Sequence, residues 1–136
     1  MTKKLIHVSG KRKKAIARAT IKPGKGQIRI NKRLLQLYYP MLSRMRIMEP
    51  LLIAGDDVIK KIRIDVDVKG GGLNGQAEAA RLAIARSLAQ FTGNKQLEKD
   101  FLSYDRHLLV ADVRQRESRK PNTHQKARAK VQKSYR

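Results

Sequence analysis

Short runs of period two and longer runs of helical period share this chain, the mixture expected when helices pack on a sheet. Residues 5–8 are a brief apolar stretch and predict a short strand. Over residues 15–22, Ala15, Ala17, Ala19 and Ile21 share one face, and Ile16, Arg18, Thr20 and Lys22 share the other. Pro23-Gly24-Lys25-Gly26 predicts a turn, and residues 27–30 resume the alternation with Ile28 and Ile30 inward. Two strands joined by a glycine-rich turn predict a hairpin whose outer face carries Arg18, Lys22 and Arg29. Like charges so placed need an outside neutraliser such as RNA phosphate, or else form a solvated basic face.

Asn31 is placed to cap a helix over residues 32–39, closed by Pro40. Met41, Met45, Met48 and Leu52 then follow helical spacing, predicting a core-facing stripe that Pro50 splits between two short helices. The clearest strand is 61–69, where Ile62, Ile64, Val66 and Val68 alternate with charged residues. After Gly70-Gly71-Gly72-Leu73-Asn74-Gly75 an alanine-rich helix runs to Thr92. Its apolar stripe is Ala77, Ala80, Ile84, Leu88 and Phe91, widened by Ala85, and Gly93 stops it. A second helix follows over 95–104, with Leu97, Phe101 and Tyr104 on one side, and residues 108–113 predict a last strand. Beyond Val113 the pattern stops. Residues 114–136 hold only Val131 and Tyr135 as packing residues larger than alanine, with Pro121 and Asn122 as helix breakers. Such a segment cannot offset its ordering entropy and is expected to be disordered when free. The expectation is a globular domain over 1–113 and an extended basic tail over 114–136.

Charge changes this picture more than size does. A chain of 136 residues with 40% apolar content supports one modest core, yet its net charge is +21. Self-repulsion on that scale implies a polyanionic partner. Residues 1–48 hold 14 Lys and Arg and no acid, residues 49–113 hold 9 basic and 10 acidic residues, and residues 114–136 hold 9 basic residues against Glu117 alone. A nearly neutral block therefore lies between two cationic ends. Cysteine is absent, which excludes disulfides and thiolate metal sites. No apolar run approaches the ~20 residues of a membrane span, and the first residues are too polar for a signal peptide. A cytoplasmic protein is expected.

Few motifs carry chemistry. Gly70-x-Gly72-x-x-Gly75 follows a strand and opens a helix, as a dinucleotide fingerprint does. The acids about 20 residues on, Glu98 and Asp100, lie in a helical pattern with no strand before them, so a Rossmann unit is rejected. No Gly-Lys-Ser/Thr follows to make a P-loop. Two readings remain: close approach of an RNA phosphate to bare backbone at a helix start, or turn geometry alone. His7, His107 and His124 are scattered without ligand spacing, so no metal is expected. Asp65 and Asp67 point to one side of a strand, where solvation or pairing with Lys61 and Arg63 explains them better than acid–base work. No nucleophile–base arrangement emerges, and neither enzyme activity nor a cofactor is expected. In the tail, Lys126, Arg128 and Lys130 project to one side of an extended chain, which suits a row of phosphates. Tyr135 offers a ring to stack on a base.

Three separated stretches resemble one family. Gly10-Lys11-Arg12-Lys13-Lys14-Ala15-Ile16-Ala17-Arg18-Ala19 resembles the N-terminal motif of the universal small-subunit ribosomal protein family numbered nine. Gly70-Gly71-Gly72-Leu73-Asn74-Gly75-Gln76-Ala77, with Arg81 and Ile84-Ala85-Arg86, resembles its glycine loop and helix. Gln132-Lys133-Ser134-Tyr135-Arg136 resembles the archaeal and eukaryotic ending, where bacterial members end Ser-Lys-Arg.

The resemblance implies an α/β (α+β) two-layer sandwich: a mixed sheet with helices on one face and a left-handed βαβ crossover. It also implies a place in the head of the small subunit, beside neighbouring ribosomal proteins and on the 3′ region of the rRNA. The tail tip, Lys133, Tyr135 and Arg136, would touch the anticodon stem-loop of peptidyl-site tRNA. Together with the pattern and charge, this makes Lys11, Arg12, Lys13, Lys14, Arg18, Lys22, Arg29, Gly70, Gly71, Gly72 and Gln76 the candidate rRNA contacts of the domain. Arg114, Arg116, Arg119, Lys120, Lys126, Arg128 and Lys130 are those of the tail.

Three other readings compete. A DNA-compacting protein would prefer duplex DNA to rRNA. A nucleotide-dependent enzyme would lose nucleotide binding when Gly72 or Gly75 is replaced. A protein of anionic membranes would need bulky apolar residues that the tail lacks.

Overall fold

The computed structural model describes residues 5–130 together with Gln132 and Ser134. Its strands are β1 (Ile6–Arg12), β2 (Ala15–Pro23), β3 (Gln27–Ile30), β4 (Arg33–Leu34) and β5 (Ile62–Lys69). Its helices are α1 (Met41–Ala54), α2 (Asp56–Ile59), α3 (Leu73–Thr92) and α4 (Lys95–Tyr104). The strands form one mixed sheet in the order β1-β2-β5-β3-β4. β5 runs antiparallel to β2 and parallel to β3. The connection from β3 to β5 passes through β4, α1 and α2, so the expected mixed sheet is present and a helical crossover joins the parallel pair β3 and β5.

The alternation of β2 and β5 decides which face is covered. Ala15, Ala17, Ala19 and Ile21 are buried together with Ile62, Ile64, Val66 and Val68, while the intervening residues stay open. α3 lies across β1, β2 and β5, and α1 packs beside α3. Small side chains bring α3 close. A Cβ on Gly10 would run into the carbonyl oxygen of Ala79 and stand 2.8 Å from the nitrogen of Ala83. Ala77, Ala79, Ala80 and Ala83 are fully buried at this contact, and Ile84, Leu88, Phe101 and Leu108 fill the space beyond. Gly93 at φ +63 closes α3, its N–H donating to the Ala89 carbonyl at 2.9 Å.

The structure departs from the sequence reading in several places. β1 is longer than the predicted strand and takes in Lys11 and Arg12. The expected β2–β3 hairpin does not form, because β5 inserts between the two strands. Its inner face carries four branched residues, Ile62, Ile64, Val66 and Val68, all buried, which suits a strand paired on both sides.

Residues 32–39 do not form the expected helix; β4 and a 3-10 turn, Leu35–Leu37, take its place. Asn31 and Lys32 sit at φ +48 and +68, the left-handed pair of a two-residue turn joining β3 to β4. Asn31 instead extends the ladder: its Oδ1 accepts from the Val68 N–H at 2.8 Å and its Nδ2 donates to the Val68 carbonyl at 3.3 Å.

α1 runs unbroken through Pro50, and the break falls at Gly55, at φ +82. Its buried face is Ser43, Ile47, Pro50 and Leu51, so Met41, Met45 and Leu52 point to solvent and of the predicted stripe only Met48 packs on the core. Two apolar stripes fit this helix, and the branched Ile47 with Leu51 is the one that meets α3. Residues 108–113 form no strand; a 3-10 turn, Arg106–Leu108, precedes an irregular segment. Tyr104, assigned to the inner side of α4, is exposed while Leu97 and Phe101 are buried.

Candidate nucleic-acid interface

Topology gathers one group of cationic residues at one pole. β2 pairs its first residues with the last residues of β5, and the end of β3 lies beside the same end of β5. The Lys13-Lys14 turn, the Asn31-Lys32 turn and the Gly70-Gly71-Gly72 loop therefore share one edge of the sheet. The N-terminus of α3 opens there too, with Gly72 as its cap and no capping side chain.

The three glycines of the loop differ in what holds them. Gly70 and Gly71 are left-handed, at φ +76 and +69. A Cβ on Gly70 would lie 2.6 Å from the Lys14 carbonyl oxygen, and one on Gly71 would lie 2.9 Å from the Ala15 nitrogen. Both are glycines because the loop packs on the β1–β2 turn. Gly72 has no such reason, since nothing stands within 4 Å of the place its Cβ would take. The side chain of Gln76 turns back to donate to the Gly70 carbonyl at 3.1 Å and steadies the loop. Gly75 lies in the first turn of α3.

The basic candidates fall into groups. Lys11, Lys13 and Lys14 are exposed at the pole. Arg12 lies beside them but is largely buried, its Nε donating to Glu78 at 2.6 Å, with Asp112 at 3.3 Å and the Arg114 carbonyl at 3.2 Å. It fastens the start of the tail to β1 and α3. The Gln115 amide adds a 3.4 Å bond to the Lys13 carbonyl. Arg114 chelates Asp112, which holds that carboxyl far below its ordinary value. Arg81 joins Glu49 at 2.5 Å and Asp105 at 2.7 Å, tying α1 and α3 to the turn after α4. Glu78, Asp105 and Asp112 line a hollow of about 160 Å³ with Lys11, Arg12, Arg81 and Arg114, so most of its charge is paired within it.

Arg18, Lys22 and Arg29 share the open face of the sheet, but not as the adjacent cations of a hairpin. β5 sets Asp67 opposite Arg18 and Asp65 opposite Arg29, and Lys22 lies at the far end beside Arg63. Arg63 pairs with Asp65 at 2.9 Å, which is the pairing expected for that carboxylate. A second hollow, of about 620 Å³, opens on this face at the pole and is lined by Lys14, Ile16, Arg18, Lys32, Asp67, Lys69 and Gly70. Lys32 and Lys69 were missed by the sequence reading. The alternation of 61–69 puts Lys69 on the open face; nothing in the sequence puts Lys32 next to it.

Residues 114–130 contain no helix or strand, and Arg114, Arg116, Arg119, Lys120, Lys126, Arg128 and Lys130 are exposed. Glu117, the one acid of the segment, pairs with Arg128 at 3.0 Å and Lys120 at 3.5 Å. Lys133, Tyr135 and Arg136 lie outside the described residues. Among the described residues no cluster of His, Asp or Glu could hold a metal ion. Nor, among the described residues, is any helix long and apolar enough to cross a membrane.

An α+β domain with a cationic pole at the lysine turns and an irregular basic extension over residues 114–130 has the form of a polyanion-binding protein. Comparison with known proteins agrees. The family model described as ribosomal protein S9/S16 matches residues 10–136. Proteins named small ribosomal subunit protein uS9 from two strains of Methanococcus maripaludis, C7 and C5, are each 50% identical over 134 residues, covering 98% of this chain and 99% of theirs. The chain belongs to the ribosomal protein S9/S16 family, and it is a structural protein and not an enzyme.

Proposed function

We propose that this protein is built into the small ribosomal subunit, in its head, on the 3′ region of the rRNA and among neighbouring ribosomal proteins. The domain orients the assembly. Lys11, Lys13, Lys14 and the bare backbone at Gly72 meet phosphate. Arg12, Gly70, Gly71 and Gln76 serve the same surface by fixing the tail root and the loop. Arg18, Lys22 and Arg29 extend it over the open face, and Arg114, Arg116, Arg119, Lys120, Lys126, Arg128 and Lys130 carry it along the tail, which orders on RNA. The tip, Lys133, Tyr135 and Arg136, contacts peptidyl-site tRNA. The supporting observation is the convergence of two lysine-bearing turns, the glycine loop and the tail root at one edge of the sheet. Phosphate contacts of this kind position a protein, while the shape of the folded RNA selects the place.

Binding to a transcript of the 3′ region should fall about 10³–10⁵-fold between 50 and 200 mM salt for ~6–10 phosphate contacts. A flat salt response would remove the electrostatic mechanism. Deleting residues 133–136 should leave assembly intact and weaken tRNA retention in the peptidyl site. Unchanged retention would remove the tip contact, and failed assembly would make the tip an anchor instead.

A further inference from the structure

We propose that the hollow on the open face of the sheet holds one unstacked nucleotide of the RNA, with its base on Ile16 and its flanking phosphates on Lys14, Lys32 and Lys69. The inference rests on the rRNA-binding reading and names a subsite within it.

Ile16 is the starting point. It is 43% exposed on a sheet face where its cross-strand neighbours, Lys11 and Lys69, are both cationic. In the next row stand Arg18 and Asp67. An aliphatic floor framed by cations lets a base lie flat while its phosphates reach the rim. The hollow, about 620 Å³, falls in the range of small-ligand pockets, roughly 300–1,000 Å³.

The charged residues here differ from those of the other hollow. There, Arg12 is ion-paired with Glu78 and Asp112, and Arg81 with Glu49 and Asp105. Here, Lys14, Arg18, Lys32 and Lys69 converge with no ion-pair or side-chain hydrogen-bond partner among the described residues. Asp67 has none either. A cradle for phosphate alone has no use for a carboxylate, which repels the anion. A carboxylate inside a cationic hollow suits a ligand that is anionic at its edges and offers a hydrogen-bond donor at its centre. A nucleotide has that chemistry, through a base amino group or the ribose 2′-hydroxyl. Lys32 reaches the hollow because Asn31, bonded to Val68, pins the β3–β4 turn against β5.

The test uses the full-length protein and short fluorescent oligonucleotides: single-stranded oligo-C and oligo-U RNA, oligo-C DNA, and an RNA duplex. Lys32→Ala with Lys69→Ala should weaken single-strand binding about 10-fold and flatten the log K against log salt slope by about 1.4, at ~0.7 per lost contact. Lys25→Ala with Lys61→Ala removes equal charge at the far end and should change affinity less than about 2-fold. Ile16→Ala should weaken single-stranded binding about 5–10-fold and leave duplex binding unchanged. Asp67→Asn should reduce the preference for oligo-C over oligo-U if it reads a base amino group, or for RNA over DNA if it reads the 2′-hydroxyl. Circular dichroism confirms folding of each variant, all six residues being surface positions.

Equal losses from the two lysine pairs, or equal effects of Ile16→Ala on single strands and duplex, would overturn the pocket. If the wild-type chain fails to bind the 3′-region transcript, the rRNA reading falls with it. If it binds and the pocket variants bind as well, only the pocket falls.

Discussion

Gly71→Ala and Gly72→Ala are adjacent, chemically identical changes that should separate folding from binding. Gly71 is left-handed, which costs a residue with a Cβ about 1–2 kcal/mol. Its Cβ would also press on Ala15, 2.9 Å from the nitrogen and 3.0 Å from the Cβ, forcing the loop off the β1–β2 turn at a further cost of about 1–3 kcal/mol. The expected loss is therefore about 2–5 kcal/mol, a drop in melting midpoint of roughly 10–20 °C. Gly72 has φ −111 and open space around it. Alanine is a slightly poorer N-cap than glycine, by a few tenths of a kcal/mol or more. It also stiffens the unfolded chain, which stabilises by about 0.4–1 kcal/mol. The two offset, leaving stability within about 0.5 kcal/mol of the parent. Binding should behave in the opposite way. A phosphate held by the first-turn N–H groups of α3 would be pushed outward by the new methyl group. Losing one charge-assisted bond of about 1.5–3 kcal/mol weakens affinity roughly 10–100-fold. Urea unfolding and filter binding to the 3′-region transcript read the two effects separately. Native affinity in Gly72→Ala would refute the close approach of phosphate, and native stability in Gly71→Ala would refute the account of the loop.

Three further outcomes follow from the geometry. Asn31→Ala removes the paired bonds to Val68 and should cost about 1–2 kcal/mol in urea unfolding, with faster hydrogen exchange at the Val68 amide; unchanged exchange there would show that the side chain does not close the ladder. Arg81→Met leaves Glu49 and Asp105 without their shared cation and should destabilise by about 1–3 kcal/mol, measured by thermal unfolding, whereas a neutral result would mean solvent replaces the bridge. Asp105 and Asp112 titrate below the ordinary 3.8. For Asp105, burial alone would raise the value, but the His107 N–H and the Arg81 guanidinium outweigh it; for Asp112, the hydrogen bonds from Arg114 dominate. Both native values are depressed, so their stabilisation is complete above about pH 4 and drains as pH falls through the native values. As pH falls below about 4 the His107 amide, held by Asp105, should lose protection before the Arg114 amide, whose Asp112 partner stays ionised to lower pH; the reverse order would refute this.

Local pattern was a good guide wherever one period and one burial choice coincide. Residues 61–69 alternate so regularly that strand β5 and its inner face were legible. The same holds for α3, with its alanine stripe and Gly93 stop, and for the limits of α4. The methionine stripe shows where pattern fails. α1 carries two apolar faces, and a periodic sequence does not say which of them meets α3. Asn31 fails for a related reason: a residue that suits a helix cap also suits a left-handed turn, and the choice is made by a strand far along the chain.

For the site, charge in the sequence was enough to demand a polyanion, and the motifs named the glycine loop and the lysine turn. What the sequence by itself determined was therefore the elements with unambiguous periodicity, the cationic ends and the family. Only the tertiary structure decided that β5 enters between β2 and β3, because strand pairing joins residues some 40 positions apart and leaves no local trace. That insertion turns an imagined row of like charges into Arg18 facing Asp67 and Arg29 facing Asp65. It also brings Lys32 to Lys69 and sets the unpartnered charges around Ile16, where the sequence alone showed only scattered lysines.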